Sequence, residues 1–257
     1  MADSQPRIAA LQRRIARLSR PRDAPNAGRV AMGLAAIDTR IGGGLARGCL
    51  HEIVAAEADD AAAGAGFAAM LARRVGGAIV WLRVGRNEAG LYPPGLREVG
   101  IDPDAVLLVL TADAADLLRA AGEVARCSAV GVAVVELWGD DRRIDLTASR
   151  RLALAAEGSG TTPLLLRVAA DPVPSAARTR WGVRAAPSTP LAADAPGGPA
   201  LDLELLRQRG GPAGWCWRVE WNRDEAIFKP GFGTPFSGDL AAVSGGGSAG
   251  ERRVHAG

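Results

Sequence analysis

The stretch Ile41–Arg74, IGGGLARGCLHEIVAAEADDAAAGAGFAAMLARR, decides how the chain is read. It opens on a glycine turn (Gly42, Gly43, Gly44, Gly48) and runs into a short apolar strand over Leu50–Ala55. It then crosses a small-residue loop and enters an Ala-rich helix from about Gly66. Strand, loop and helix in that order form the frame of a phosphate-binding loop, in which backbone N–H groups and the helix start hold the anion. A lysine then reaches the outer phosphates and a Ser or Thr holds Mg²⁺. Here the loop AAEADDAAAGAG has no Lys, Ser or Thr, and it places Glu57, Asp59 and Asp60 where a phosphate would sit. Three carboxylates without a cation repel a polyphosphate. The frame of a nucleotide site is present and its chemistry is missing; in the plainer reading the segment is a core strand and helix joined by a surface loop.

Composition leaves no nearby lysine to repair the loop. Lys229 is the sole lysine and lies far away in FKPG, while Arg73 and Arg74 follow the loop too late to replace it. The 257 residues suit one large α/β domain with appendages or two small ones, and 48% hydrophobic with 23% charged residues suffices for a core. A net charge of +3 permits an acidic partner without demanding nucleic acid. Three scattered cysteines (Cys49, Cys127, Cys216) in no CxxC pattern argue against a disulfide framework or a zinc site. With only His51 and His255, most histidine-based metal sites and triads are excluded. No apolar run reaches the roughly 18 residues of a membrane span, and the Arg-rich start does not have a secretory signal's organisation. The expected setting is therefore cytoplasmic, away from membranes, with no metal and no cofactor.

Residues 7–20, RIAALQRRIARLSR, set Ile8, Leu11, Ile15 and Leu18 along one helical seam, and Pro21 with the following PRDAPNAG supplies a stop and a linker. This helix either packs on its own domain or docks on a neighbour. From Arg29 onward, strand candidates (Leu50–Ala55, Ala78–Val84, Val106–Leu110, Gly131–Leu137, Leu164–Ala169) alternate with helix candidates (Gly66–Val75, Ala114–Cys127, Leu146–Ala156). That alternation predicts a largely parallel sheet covered on both faces, with its crevice at the C-terminal strand ends. Ala55–Gly64, Gly85–Glu88 and Glu136–Asp141 would share that rim. Period-two patterns over Thr179–Ala185, Leu201–Arg209 and Trp215–Trp221 predict antiparallel strands extending the sheet. Trp215, Trp217 and Trp221 fall on one face, read as core, with Cys216 and, less strictly, Val219 on the other. The organisation expected is a helix and linker over 1–28, a core domain over 29–228, and a disordered tail over 229–257.

In this order the motifs resemble the RecA recombinase fold, and more closely the ImuA family of accessory proteins in bacterial SOS mutagenesis, over about residues 30–225. The resemblance is carried by IDTRIGGGLARGCLHEIV, by WLRVGRNEAGLYPPGLREVGIDPDAVLLV, by VGVAVVEL as a Walker B-like strand, and by RTRWGVRAAPS followed by LELLRQRGG and a tryptophan-bearing strand. It implies a RecA-like core with a mostly parallel sheet flanked by helices and C-terminal antiparallel strands. Carried over residue by residue, the phosphate loop falls on Ala55, Ala56, Glu57, Asp59 and Asp60, with its lysine and threonine at Ala61 and Ala62. The water-activating glutamate falls on Glu88, the Walker B carboxylate on Glu136, the adenine-stacking tyrosine near Gly95 and the polar sensor on Ala169. Phosphoryl transfer depends on positioning and on charge stabilisation of oxygens, so Glu88 and Glu136 alone would not support it.

The resemblance further implies a non-catalytic scaffold in error-prone translesion synthesis, beside an ImuB-type polymerase-like protein and a C-family error-prone polymerase. RecA, or a second copy of the chain, would be a further partner through Ile8, Leu11, Ile15 and Leu18. The recombinase's two DNA-binding loops fall on Gly139–Asp145 and Ala169–Arg180. Both are short and lack a stacking aromatic, leaving Arg142, Arg143, Arg178 and Arg180 as candidate DNA contacts, or as a solvated charged rim. The competing expectation is an ATPase with an atypical loop that borrows a cation from Arg83, Arg86 or a neighbouring subunit and binds DNA.

Overall fold

A computed structural model describes residues 28–85, 91–195 and 197–233. Along the chain it places β1 (Arg29–Val30), α1 (Ala35–Arg40), β2 (Leu45–Ala46), β3 (His51–Ala55), α2 (Ala61–Val75) and β4 (Ala78–Val84). These are followed by α3 (Pro93–Glu98), β5 (Val106–Thr111), α4 (Ala114–Ala125), β6 (Val130–Trp138), α5 (Leu146–Ser159) and β7 (Thr162–Val168). The chain then enters β8 (Thr179–Ala185), β9 (Ala200–Gln208), β10 (Trp215–Asn222) and β11 (Ile227–Pro230). The helix expected over 7–20, with Ile8, Leu11, Ile15 and Leu18, lies outside the described residues, as do Arg86, Glu88 and positions 234–257.

Nine strands form one sheet in the order β11-β10-β9-β8-β3-β7-β6-β4-β5. From β8 to β5 every pairing is parallel, and from β8 outward to β11 every pairing is antiparallel. This is the α/β class expected: a mostly parallel sheet flanked by helices and extended by C-terminal antiparallel strands. The strands at its centre, β3 and β7, are buried along their whole length, so their apolar residues do not alternate with exposed polar ones, and the polar His51, Glu52, Thr162 and Arg167 within them are buried too. Alternate side chains feed two cores. Ile53, Trp81, Leu166 and Trp181 meet Phe67 and Leu71 of α2 on one face. Val80, Leu82, Val135 and Leu165 meet Leu117 of α4 and Leu152 of α5 on the other.

Small residues let α2 sit close to the sheet. A Cβ at Gly64 would stand 3.0 Å from Leu166 Cδ1 and 3.1 Å from Ala55 Cβ. The helix begins at Ala61, five residues before the Gly66 expected, because the alanines of AAAGAG outweigh its two glycines in helix propensity. The glycine turn leads into β2, and Gly44, with φ +119°, has Val30 O 2.3 Å from where a Cβ would be. Only glycine fits there. Asp113 and Asp145 cap α4 and α5, accepting the N–H groups of Asp116 at 2.9 Å and Ala148 at 2.7 Å.

Two expectations about the C-terminal region are corrected. The folded chain extends past residue 228: Lys229 and Pro230 complete β11, opposite Glu220 and Val219, and Phe228 is fully buried 4.9 Å from Trp221. Val219 belongs with the tryptophans rather than opposite them, since odd positions of β10 share a face, and it is fully buried in the α2-side core. That face is core, as read: Trp217 lies 6.1 Å from Trp181, and Trp221 donates its indole N–H to Val99 O at 3.2 Å. Among the described residues no helix is long and apolar enough to cross a membrane.

Candidate functional site

Because β3, β4 and β6 run parallel, their C-terminal ends bring the loop after Ala55 and the end of β6 to one rim. The β3–α2 connection is shorter than its sequence suggests. After Ala56 and Glu57 it makes a single 3-10 turn, Ala58–Asp60, and α2 starts at once, with Ala61 and Ala62 as its first residues. The turn engages its own donors: Asp60 N–H reaches Glu57 O at 3.2 Å and Ala61 N–H reaches Ala58 O. Asp60 does not cap α2. Its Oδ1 accepts the Ala185 N–H at 2.9 Å and ties the loop to the end of β8. Glu57 and Asp59 project into solvent. The positive end of α2, which would favour a phosphate, already has two aspartates beside it.

Glu136 ends as a clamped carboxylate. It is 5% exposed, its Oε2 accepts the Trp81 indole N–H at 2.7 Å, and its Oε1 accepts that of Trp138 at 2.8 Å. Arg83 Nη2 stands 3.6 Å from Oε1. Each oxygen therefore has a donor, and Arg83, one of the cations that an atypical ATPase would borrow, faces this acid. Gly95 lies within the short helix α3. Ala169 takes a left-handed conformation, φ +49°, and its N–H donates to Ala55 O at 2.9 Å, closing β7 onto β3. Among the described residues, no group of three or more His, Cys, Asp or Glu side chains is placed to hold a metal ion.

The opposite face of β3 carries a charge network that the sequence reading did not find. Glu52 is fully buried, and its Oε2 accepts from Arg180 Nε at 2.7 Å and from the Ser175 hydroxyl at 2.7 Å. Arg167, 2% exposed, places Nη1 3.9 Å from Glu52 Oε1 and donates to Asp171 O at 2.6 Å and to Asp140 Oδ1 at 3.3 Å. Arg180 also donates to Val173 O, and Arg207 to Ser175 O. Residues 169–178, where a second DNA-binding loop was expected, thus form a strap held down on the sheet.

This corrects the reading of Arg180, which points inward to Glu52 and is not presented to a ligand. Arg178 is half-buried, and its backbone N–H donates to Leu50 O at 2.8 Å. Arg143 is exposed and paired with Asp141 at 3.1 Å, and Arg142 is exposed. The structure therefore does not gather the four arginines into one patch. The signal for the network was legible in principle, since Glu52 and Arg167 interrupt otherwise apolar strand segments, and a buried charge requires a partner.

At the entry to β3, His51 is fully buried between Thr179 Oγ1 at 2.7 Å and Ala46 O at 2.8 Å. Burial holds its pKa down at about 4, so it is neutral at pH 7.

No protein-family model matches the chain, and no curated protein matches it. Among the solved structures similar to it is the crystal structure of the RadB recombinase, at a TM-score of 0.49 and 17% sequence identity, covering 76% of this chain and 96% of that one.

Proposed function

We propose that this protein is a non-catalytic, RecA-like accessory protein of error-prone translesion DNA synthesis in the SOS response, acting through protein–protein contacts. The observation that carries the reading is the β3–α2 connection. Its turn engages the N–H groups of Asp60 and Ala61 internally, its side chains are acidic, and Ala61 and Ala62 stand where the resemblance would need a lysine and a hydroxyl. The clamp on Glu136 supports it further, because that carboxylate is already engaged by two indoles and faced by Arg83. A hydrolytic alternative has to displace both arrangements and import a cation.

Partners follow from the resemblance to the ImuA family: an ImuB-type polymerase-like protein, a C-family error-prone polymerase, and RecA or a second copy of this chain. The proposed contact is the seam Ile8, Leu11, Ile15 and Leu18, and Arg142, Arg143 and Arg178 are the remaining candidates for touching DNA. The test is a pull-down of the full chain against ImuB and RecA, with Leu11→Asp and Ile15→Asp as variants. Retention of at least one partner by the wild type and its loss in both variants is expected. Equal retention by all three chains would overturn the role of the seam, and no retention by the wild type would overturn the scaffold reading.

A further inference from the structure

Arg167 stands where the end of β7, the loop after β6 and the strap over 169–178 meet, and its contacts are unequal. Its Nη1 donates to Asp171 O at 2.6 Å, and its Nη2 to Asp140 Oδ1 at 3.3 Å. Glu52, the buried countercharge, is farther: its Oε1 lies 3.9 Å from Nη1, beyond hydrogen-bond reach. Arg180 and Ser175 both use the other oxygen, Oε2, so among the described residues Oε1 accepts no hydrogen bond. A guanidinium that is 2% exposed thus takes its nearest carboxylate from the surface, since the Asp140 side chain is 63% exposed.

The same Asp140 oxygen accepts the Asp171 N–H at 3.1 Å. Asp171 is therefore held at both backbone groups, its N–H by Asp140 and its C=O by Arg167. The second half of the strap is pinned elsewhere: the Ser175 hydroxyl and carbonyl engage Glu52 and Arg207, and the Ala176 N–H donates to Ser149 Oγ at 3.0 Å. Between Ala169 and Val173, Asp171 is the one hydrogen-bonded anchor among the described residues, and it rests on an exposed carboxylate.

We infer that Arg167 is a two-position switch that couples the loop over 139–145 to the strap. With Asp140 in place, Arg167 holds Asp171 and the first half of the strap is closed. When Asp140 is drawn away, Nη1 gives up Asp171 O and closes the 3.9 Å gap to Glu52 Oε1, and the strap opens between Ala169 and Val173. A buried cation does not stay without a countercharge, and two alternative acceptors, one exposed and one interior, make the element bistable. Arg142 and Arg143 lie on the same loop as Asp140, so whatever engages that loop from solvent reaches the strap through a single side chain. The inference depends neither on the phosphate loop being silent nor on the partners proposed above.

The experiment is amide hydrogen exchange of the full chain, read residue by residue by NMR. Asp140→Asn keeps an acceptor for the Asp171 N–H and removes only the charge that Arg167 follows. The Asp171 amide is expected to exchange about tenfold faster in that variant, with the Ala176 and Arg178 amides changed less than about twofold. Asp141→Ala, in the same loop but paired with Arg143, is expected to match the wild type. Side-chain nitrogen signals of Arg167 read the second position. In Asp140→Ala they are expected to shift and persist, because the guanidinium has moved to Glu52. Unchanged exchange at Asp171 in Asp140→Asn, an equal rise along β7, or the same rise in Asp141→Ala would overturn the coupling. Loss of the Arg167 signals to solvent exchange in Asp140→Ala would overturn the switch.

Discussion

The strand β3 separates two sets of carboxylates that the fold treats in opposite ways. At its C-terminal end, Glu57 and Asp59 are exposed and, among the described residues, form no ion pair. Near its start and on its other face, Glu52 is fully buried against Arg180 and Arg167. A nucleotide would need the cations at the first place, and the chain has put them at the second. Arginine here serves to hold a strap on the sheet, whereas the rim that would receive a phosphate is left acidic.

The largest effect follows from breaking the buried side of this contrast. Glu52→Ala strands two guanidinium groups in the interior and is expected to lower stability by about 3–5 kcal/mol in urea unfolding. Asp59→Ala, at the exposed side, should stay within about 0.5 kcal/mol. Equal losses for the two variants would remove the contrast.

Acid sharpens it next. His51, in the same strand, has its pKa held at about 4 by burial, against about 6.5 when unfolded. Above pH 6.5 both states are neutral and the residue contributes no pH dependence. Below it the unfolded chain gains a proton that the native chain refuses, so stability falls, by about 3 kcal/mol once pH 4 is reached. Urea midpoints between pH 7 and 4 measure this, and His51→Gln should flatten the fall. A wild-type curve with no greater fall than that of His51→Gln would contradict the buried neutral imidazole.

Smaller effects probe the loop itself. Asp60→Ala removes the acceptor for Ala185 N–H and should cost about 1 kcal/mol, read from the same unfolding curves. Glu57→Gln should be neutral within about 0.5 kcal/mol, since the side chain is exposed. A loss at Glu57 as large as that at Asp60 would mean that the loop's acids are structural rather than left over at an exposed rim.

Much of the fold was legible because local pattern and burial agree. The apolar runs that become β4, β6 and β7, and the period-two runs of β8 to β10, fixed the sheet's class and its change of direction. Less legible was whatever depends on partners distant in the chain. Glu52 finds Arg180 across 128 positions and Ser175 across 123, and no local period encodes such a pairing. Trp81 reaches Glu136 across 55 positions, so a residue read as a rim acid is in fact clamped. β11 was overlooked because Lys229 and Pro230 look like a tail, yet the strand lies at the sheet's edge, where lysine and proline are tolerated. The strand–loop–helix order of β3 and α2 was legible from pattern, but the self-closing turn at Ala58–Asp60 was not, since it depends on where α2 begins.

The central claim is that the β3–α2 connection does not hold a nucleotide, and thermal unfolding of the full chain with and without millimolar ATP and Mg²⁺ tests it most directly. The expected result is the same melting temperature in both. A rise corresponding to about 2.7 kcal/mol, as a ligand at a hundred times its Kd would give, would contradict it.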